Sequence, residues 1–177
     1  FEKFFPQEDS DLAFYEDYRE KFENDNDFIL LGFSNKNGIF DQQFLQKIQN
    51  FTIKVRELPH LREVISPLEM SYFELAPGGM GFKKRPIFHI DNPGEYAADR
   101  ERLENSIEPV AEMVNLENNS LILVIKNKQL INKDDSDELA SALQELIDAE
   151  GFGEIRVMGK IMGQQVYVAV MKVEFLT

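Results

Sequence analysis

The sequence contains no cysteine, which excludes disulfide bonds, thiol nucleophiles and zinc–thiolate sites. Histidine is scarce as well, with only His60 and His89 among 177 residues. No apolar run approaches the roughly 18 residues of a membrane span, and no charged-then-apolar leader opens the chain. Because the first residue is phenylalanine rather than methionine, we expect a piece of a longer chain or a mature chain.

Basic residues are outnumbered, since 19 lysines and arginines stand against 32 aspartates and glutamates, for a formal net charge of −13. An acidic chain repels phosphate, so nucleic acid and anionic membrane surfaces are poor partners for it as a whole. The excess is concentrated in residues 1–27, which hold ten acidic and three basic side chains. We interpret this stretch as an amphipathic helix with a solvated acidic face.

Two stretches of the chain follow the same pattern, "FILLGFSNKNGIFD" from Phe28 and "SLILVIKNKQLINKDD" from Ser120. Each has a short apolar run, a polar turn and an aspartate before a helical pattern. In the first copy Asp41 is the predicted N-cap, Pro59 ends the helix, and "LREVIS" follows as a strand. The predicted apolar face of this helix consists of Phe44, Ile48, Phe51, Val55 and Leu58.

The second copy has the same order of elements. Asp135 and Glu138 stand three residues apart, as a capping box requires, and Gly151 is the predicted C-cap. "EIRVMG" then forms the closing strand. The predicted apolar face of the helix consists of Leu139, Leu143, Leu146 and Ile147.

The two copies keep a constant spacing at both strands. Phe28 and Leu121 are 93 positions apart, and so are Val64 and Val157. Two β-α-β units share one sheet most simply as βαββαβ, the ferredoxin-like arrangement, in which right-handed crossovers place both helices on one face. We therefore predict an α+β fold that contains a ferredoxin-like βαββαβ domain.

The sequence divides into five segments of one compact domain. They are an acidic N-terminal helical segment (1–27), a first β-α-β unit (28–66), an insert with a hairpin and a helix (67–119), a second β-α-β unit (120–159) and a C-terminal segment (160–177).

The insert is predicted to contain two strands and a helix. "LEMSYFEL" and "IFHID" are the predicted strands, and "APGGMGFKKRP" between them is a predicted loop. Asn92, Pro93 and Glu95 open the helix, which Leu103 and Ile107 continue. In the C-terminal segment, residues 163–177 fit a strand or a buried helix equally well.

The glycine-rich loop is the candidate contact site of the chain. Its glycines expose backbone N–H groups and the cations that follow add charge, which could hold an anion, but the strand-then-helix order of a phosphate-binding loop is absent. We therefore predict a flexible hairpin or contact loop. The candidate contact residues are Gly78, Gly79, Met80, Gly81 and Phe82.

No catalytic, cofactor-binding or metal-binding residue is assigned. His89 and Asp91 would share a face of a strand and could act as an acid–base pair or bind a metal. Catalytic metal sites usually show three protein ligands, however, and the only other histidine, His60, is remote in sequence. Met158 and Met162 could bind copper(I), although core packing is the more ordinary role of methionine. No hydrolase or metalloprotease signature is present, so the chain is predicted not to be an enzyme.

The order of these features resembles the first large loop of transporters of the resistance-nodulation-division superfamily, in the Patched-like and hydrophobe-exporter branch. The similar phrases are "FFPQEDSDLAFYEDYREKF", "FILLGFSNKNGIFD", "ELPHLREVISPLE", "ERLENSIEPVAEMVNLENNSLILVI" and "EIRVMGKIMGQQVYV". Together they cover nearly the whole chain. One departure is His60, which stands where the family often has glycine.

The resemblance implies an extracytoplasmic, periplasmic porter domain of a proton-driven exporter in the inner membrane, which gates or lines the path of a hydrophobic or lipid-like substrate. It implies a second extracytoplasmic loop of the same transporter as partner, and proton-coupling residues in membrane helices outside this chain. A stand-alone ligand-binding or regulatory module of ferredoxin-like fold is the alternative, and a hydrolase of that fold ranks last.

Overall fold

The computed structural model describes residues 28–76, 78–79, 81–105, 110–129 and 131–163. The predicted N-terminal helix and the ambiguous segment from residue 164 onward lie outside these ranges. The strands are β1 (Phe28–Ser34), β2 (Leu61–Ile65), β3 (Ser71–Leu75), β4 (Phe82–Pro86), β5 (Val114–Asn115), β6 (Ser120–Asn127) and β7 (Glu154–Gly159). The helices are α1 (Gln42–Val55), α2 (Tyr96–Glu104), α3 (Val110–Met113) and α4 (Lys133–Glu150).

The fold is α+β, with one main antiparallel sheet in the order β2-β6-β1-β7 and a separate hairpin of β3 and β4. The short β5 pairs with the edge of β6. Because β2 and β1 both run antiparallel to β6, they are parallel to each other with β6 between them. By the same argument β6 and β7 are parallel and lie on either side of β1. Each β-α-β unit therefore receives one strand of the other unit between its own two strands.

Both long helices cover the same face of the main sheet, since α1 and α4 contact each other as well as the core. The inward side chains of the two central strands are fully buried; they are Ile29, Leu31, Phe33, Leu121, Leu123 and Ile125. An aromatic cluster joins the units, because the ring of Phe33 lies 5.6 Å from that of Phe51 on α1 and 4.8 Å from that of Phe152, which follows α4. The opposite face of the sheet carries no helix among the described residues.

Helix α1 begins as predicted and ends earlier. Asp41 is the N-cap, and its Oδ1 accepts a hydrogen bond from the backbone N–H of Phe44 at 2.8 Å. The helix ends at Val55, so Leu58 and Pro59 lie in the following turn rather than on the helix. The buried face consists of Leu45, Ile48, Phe51, Thr52 and Val55, while Phe44 is only partly buried.

The predicted start of α4 was wrong by three residues. Asn132, not Asp135, is the N-cap, and its Oδ1 accepts from the backbone N–H of Asp135 at 2.9 Å. The side-chain amide of Asn132 donates in turn to Asp135 Oδ2 at 3.0 Å. The earlier start places Asp134 and Asp135 in the first turn, where the helix dipole favours negative charge. Gly151 ends the helix in the left-handed conformation, at φ 58°, as predicted.

The second strand of the insert lies in a different place from the predicted one. "FKKRP" forms β4 and pairs with β3 from Leu75↔Phe82 to Ser71↔Pro86, so the loop between them is only residues 76–81. "IFHID" is not a strand. Ile87, Phe88 and Ile90 are instead buried in the core, and the backbone N–H of His89 donates to the carboxylate of Asp99 rather than to a neighbouring strand.

The spacing of the repeat also needs a correction at its first strand. Leu121 faces inward, whereas Phe28 alternates with inward-facing Ile29 and so faces the other side, so an offset of 93 does not join equivalent positions there. Val64 and Val157 both pack against the core, so the offset of 93 holds at the closing strands. An unbroken apolar run does not show which alternate residues face inward, because side chains of a strand point to opposite faces in turn.

Candidate functional site

The hairpin of β3 and β4 presents an apolar face to solvent. Phe73, Leu75 and Phe82 are 68%, 67% and 73% exposed, and Leu75 pairs directly with Phe82 across the hairpin. Phe73 pairs with Lys84, so a lysine stands among the three apolar side chains. Neither strand pairs with the main sheet. We name this surface, composed of Phe73, Leu75, Phe82 and Lys84, the hairpin face.

The tip of the hairpin depends on glycine. Gly78, Gly79 and Gly81 have φ values of 90°, 73° and 92°, where side-chain-bearing residues are strained. The loop is closed by two backbone hydrogen bonds of 3.0 Å, from Ala76 N–H to the Gly81 carbonyl and from Gly79 N–H to the Ala76 carbonyl. Within the part of the chain that the structure describes, no atom lies within 4 Å of a Cβ added at any of these glycines.

The predicted contact loop therefore lies at the end of a hairpin, with exposed Phe82 at its base. Met80 lies outside the described residues. Sequence analysis missed Phe73 and Leu75, although the alternation of "SYFEL" places both on one side of a strand. What the pattern could not show was that this side faces solvent.

The opposite face of the hairpin is polar and held to the body of the protein. Arg85 Nε donates to Glu74 Oε1 at 2.7 Å; this hydrogen bond lowers the pKa of Glu74 and raises that of Arg85. The guanidinium of Arg102 on α2 stacks over the ring of Tyr72 at 4.3 Å. The base of the hairpin thus has a defined orientation relative to α2.

A buried carboxylate organises the insert beneath the hairpin. Asp99 on α2 is fully buried and accepts hydrogen bonds from the His89 backbone N–H at 2.8 Å and from Arg102 Nη1 at 2.9 Å. His89 Nδ1 also lies 2.8 Å from Asp99 Oδ1. His89 therefore pairs with Asp99 and not with Asp91, which accepts instead from the side chain of Gln46 at 2.8 Å. A His89–Asp91 pair, which the sequence did not favour, does not form in the structure.

The other histidine joins the two units at one end of the sheet. His60 Nε2 lies 3.0 Å from Glu138 Oε2, and its Nδ1 lies 3.8 Å from Asp135 Oδ2. One ligand atom from each of the three residues lies within 4.8 Å of the others, and imidazole and carboxylate are zinc ligand types. An ordinary ion pair of a histidine with two acidic residues gives the same arrangement. His60 adopts φ 59°, the conformation that glycine would favour.

A groove of ≈ 470 Å³ lies on the face of the main sheet away from the helices. Its floor is formed by outward-facing residues of the central strands, including Leu30, Gly32 and Ile122. Arg156 stands at one side and donates to Glu154 at 3.1 Å. Met158, which was expected in the core with Met162, is 66% exposed in this groove, whereas Met162 packs against the core as expected.

No protein-family model matches the chain, and no curated protein or solved structure shows significant similarity to it. No helix among the described residues combines the length and the apolar character that crossing a bilayer requires.

Proposed function

We propose that the chain is an extracytoplasmic porter domain of a resistance-nodulation-division transporter, in the Patched-like and hydrophobe-exporter branch. In this role it carries no catalytic site, and it gates or lines the path of a hydrophobic or lipid-like substrate from the periplasmic side of the inner membrane. The rest of the transporter, including a second extracytoplasmic loop, is its partner.

The arrangement of the four main strands is the observation that carries the proposal. When the insert is set aside, β1-α1-β2 and β6-α4-β7 form two split β-α-β units whose strands alternate in the order β2-β6-β1-β7. We assign this arrangement to the ferredoxin-like βαββαβ fold that the resemblance implies for a porter domain. The hairpin, α2, α3 and β5 are then additions between the second and third strands of that fold.

Two backbone positions support the resemblance independently. His60 stands where the family often has glycine, and it adopts φ 59°. Gly159 ends β7, where the similar family phrase also ends a strand on glycine. A Cβ at Gly159, which has φ 148°, would lie 2.7 Å from the Phe28 carbonyl oxygen. Both positions adopt a positive φ, which glycine accepts most readily, and at Gly159 the close backbone contact also excludes a side chain.

The open sheet face is the part of the domain suited to line a path. A two-layer body with both helices on one side can move as a unit, and its other side offers the groove around Leu30, Ile122 and Met158. Apolar floor residues beside the Arg156–Glu154 pair suit an amphipathic molecule, whose tail and head need different surroundings.

The first test is to sequence the parent reading frame on both sides of the chain. We expect apolar runs of about 20 residues close to Phe1 and Thr177. Because the chain has no cysteine, Met158→Cys in the full transporter gives a single label site within this domain. A thiol reagent at this position is expected to slow export, and the matched label at Ile53→Cys, which is 53% exposed on α1, is expected to leave it unchanged.

Polar flanking sequences would overturn the transporter proposal, and so would equal export after labelling at both positions. The groove would then favour the alternative, a stand-alone ligand-binding or regulatory module. In that case the purified chain would bind a small amphipathic molecule by calorimetry, and Ile122→Glu in the groove floor would abolish the binding heat.

A further inference from the structure

We propose that the hairpin face is a membrane-docking surface, which inserts Phe73, Leu75 and Phe82 into the headgroup region of a bilayer that contains anionic lipid. This inference stands without the proposed function, since it depends only on the hairpin.

The exposure of the hairpin face is unusual in this protein. Among the described residues, five large hydrophobic side chains are more than half exposed, and three of them lie side by side on this hairpin. Phe73 and Leu75 alternate along β3, and Phe82 faces Leu75 from β4. An exposed apolar cluster of this kind marks a binding surface rather than the random exposure of single residues.

The charge around the hairpin face points to an anionic partner. Lys83 and Lys84 follow Phe82 directly, and both are exposed. Lys83 pairs with Glu74 on the polar face, where Arg85 also lies, so Lys84 is the cation that stands among the apolar side chains. In a chain of net charge −13, this run of three cations stands out. Lysines that flank buried apolar groups bind anionic headgroups at a bilayer surface.

The shape of the hairpin favours a bilayer over a folded protein partner. The hairpin face is the side of a two-stranded ribbon that does not pair with the main sheet and that ends in a glycine-rich tip. Such a ribbon enters a soft interface without requiring a complementary pocket. The polar face, held by the Arg102–Tyr72 stack, keeps the apolar side directed away from the body.

The net negative charge of the chain does not prevent this contact. At physiological ionic strength the screening length is about 8 Å, whereas five strand residues extend roughly 17 Å. Lys84 on the hairpin face therefore meets the bilayer while charges on the body of the protein are largely screened. The sequence predicts that anionic membranes repel the chain as a whole. This prediction applies to the body of the protein and not to the hairpin of β3 and β4.

The test uses the complete chain and vesicles of equimolar phosphatidylcholine and phosphatidylglycerol. Because the chain has no tryptophan, Phe82→Trp introduces a single tryptophan, whose fluorescence reports on its surroundings. We expect its emission to shift to shorter wavelength on adding vesicles. The matched reporter Ile53→Trp, on exposed α1 surface, is expected not to shift.

Sedimentation with the same vesicles measures the contribution of each group. Phe73→Ser with Phe82→Ser is expected to weaken partitioning at least about tenfold, because two aromatic side chains no longer enter the apolar region. Lys84→Gln on the hairpin face is expected to weaken it about fivefold at low salt and much less at high salt. These substitutions change exposed positions, so the thermal unfolding of both variants should match that of the unaltered chain.

Three results would overturn the proposal. One is an absence of vesicle binding by the unaltered chain at low salt. Another is equal binding by the Phe73→Ser, Phe82→Ser variant. The third is a concentration-dependent dimer, seen by analytical ultracentrifugation, that this variant abolishes while vesicle binding is absent; the hairpin face would then be an interface between two copies of the chain.

Discussion

The carboxylate of Asp99 lies 2.8 Å from the Nδ1 of His89 and is completely buried. The same carboxylate accepts from Arg102, which in turn stacks on Tyr72 at the base of the hairpin. One buried acidic side chain therefore connects α2, the irregular segment before it and the hairpin.

We predict that Asp99→Ala destabilises the protein by about 1–3 kcal/mol, because the partly buried Arg102 and His89 lose their hydrogen-bond acceptor. Urea unfolding followed by circular dichroism measures the change. The matched control is Asp91→Ala, which removes an exposed carboxylate that accepts from the Gln46 side chain and is expected to change stability by less than about 0.5 kcal/mol. Equal effects of the two substitutions would contradict the role of Asp99.

The second prediction concerns the effect on stability of a side chain at Gly159. A Cβ at this position would lie 2.7 Å from the carbonyl oxygen of Phe28 and 3.1 Å from Ile29 Cα, both of them backbone atoms of the neighbouring strand. We expect Gly159→Ala to cost about 1–3 kcal/mol, since β1 and β7 must separate to accept the methyl group. Gly153→Ala is the control, because nothing lies within 4 Å of its added Cβ. Thermal unfolding of both variants tests the difference.

The left-handed backbone conformation of His60 can be tested by comparing the stability of two variants. His60→Ala and His60→Gly both remove the imidazole and its contact with Glu138, but only glycine adopts φ 59° without strain. The glycine variant is therefore expected to be more stable than the alanine variant by about 1 kcal/mol. If alanine were equally stable, the residue would not be held in this conformation in solution.

Tyr96 predicts a pH dependence. Its hydroxyl donates to the Ile90 carbonyl at 2.7 Å, and burial, followed by the charges of Asp41, Asp91 and Asp99, raises its pKa. A raised folded-state pKa means that the neutral form is favoured by folding. This contribution is complete below the unfolded pKa of about 10 and is lost as pH rises through the folded value.

We expect Tyr96→Phe to lower the free energy of unfolding by about 1 kcal/mol at pH 7, because the hydrogen bond is missing. As the pH rises from neutral to alkaline, the stability of this variant is expected to fall less than that of the unaltered chain. The measurement is urea unfolding at a series of pH values. Parallel pH profiles for the two proteins would show that Tyr96 does not ionise differently in the folded state.

The ends of a helix could be predicted from the sequence where the residues that determine them lie within a few positions of one another. Asp41 caps α1 because its carboxylate reaches an N–H three residues on, and Gly151 ends α4 because glycine accepts φ 58°. The capping of α4 was misassigned since Asn132 and Asp135 are both good N-cap residues and only the packing of the helix selects between them. The hairpin was partly missed because the pairing of β3 with β4 depends on the glycine loop closing to six residues.

The candidate sites were also predictable only where nearby residues determine them. The glycine-rich run identified the hairpin tip in advance, but the exposure of Phe73 and Leu75 follows from a hairpin that leaves the main sheet, and no local pattern indicates that. His60 and Glu138 meet across 78 positions of sequence, and His89 meets Asp99 rather than its near neighbour Asp91. Such partners are selected by the packing of whole elements.

The sequence by itself determined the α+β class, the order of strands and helices in the two β-α-β units, and most of the apolar positions of α1 and α4. These follow from periodicity and capping, which act over a few residues. The tertiary structure alone decided which side of each apolar strand faces the helices, which charged groups pair, and which aromatic residues stay exposed. Those choices depend on contacts between residues far apart in the chain, and the pattern of a single segment does not contain them.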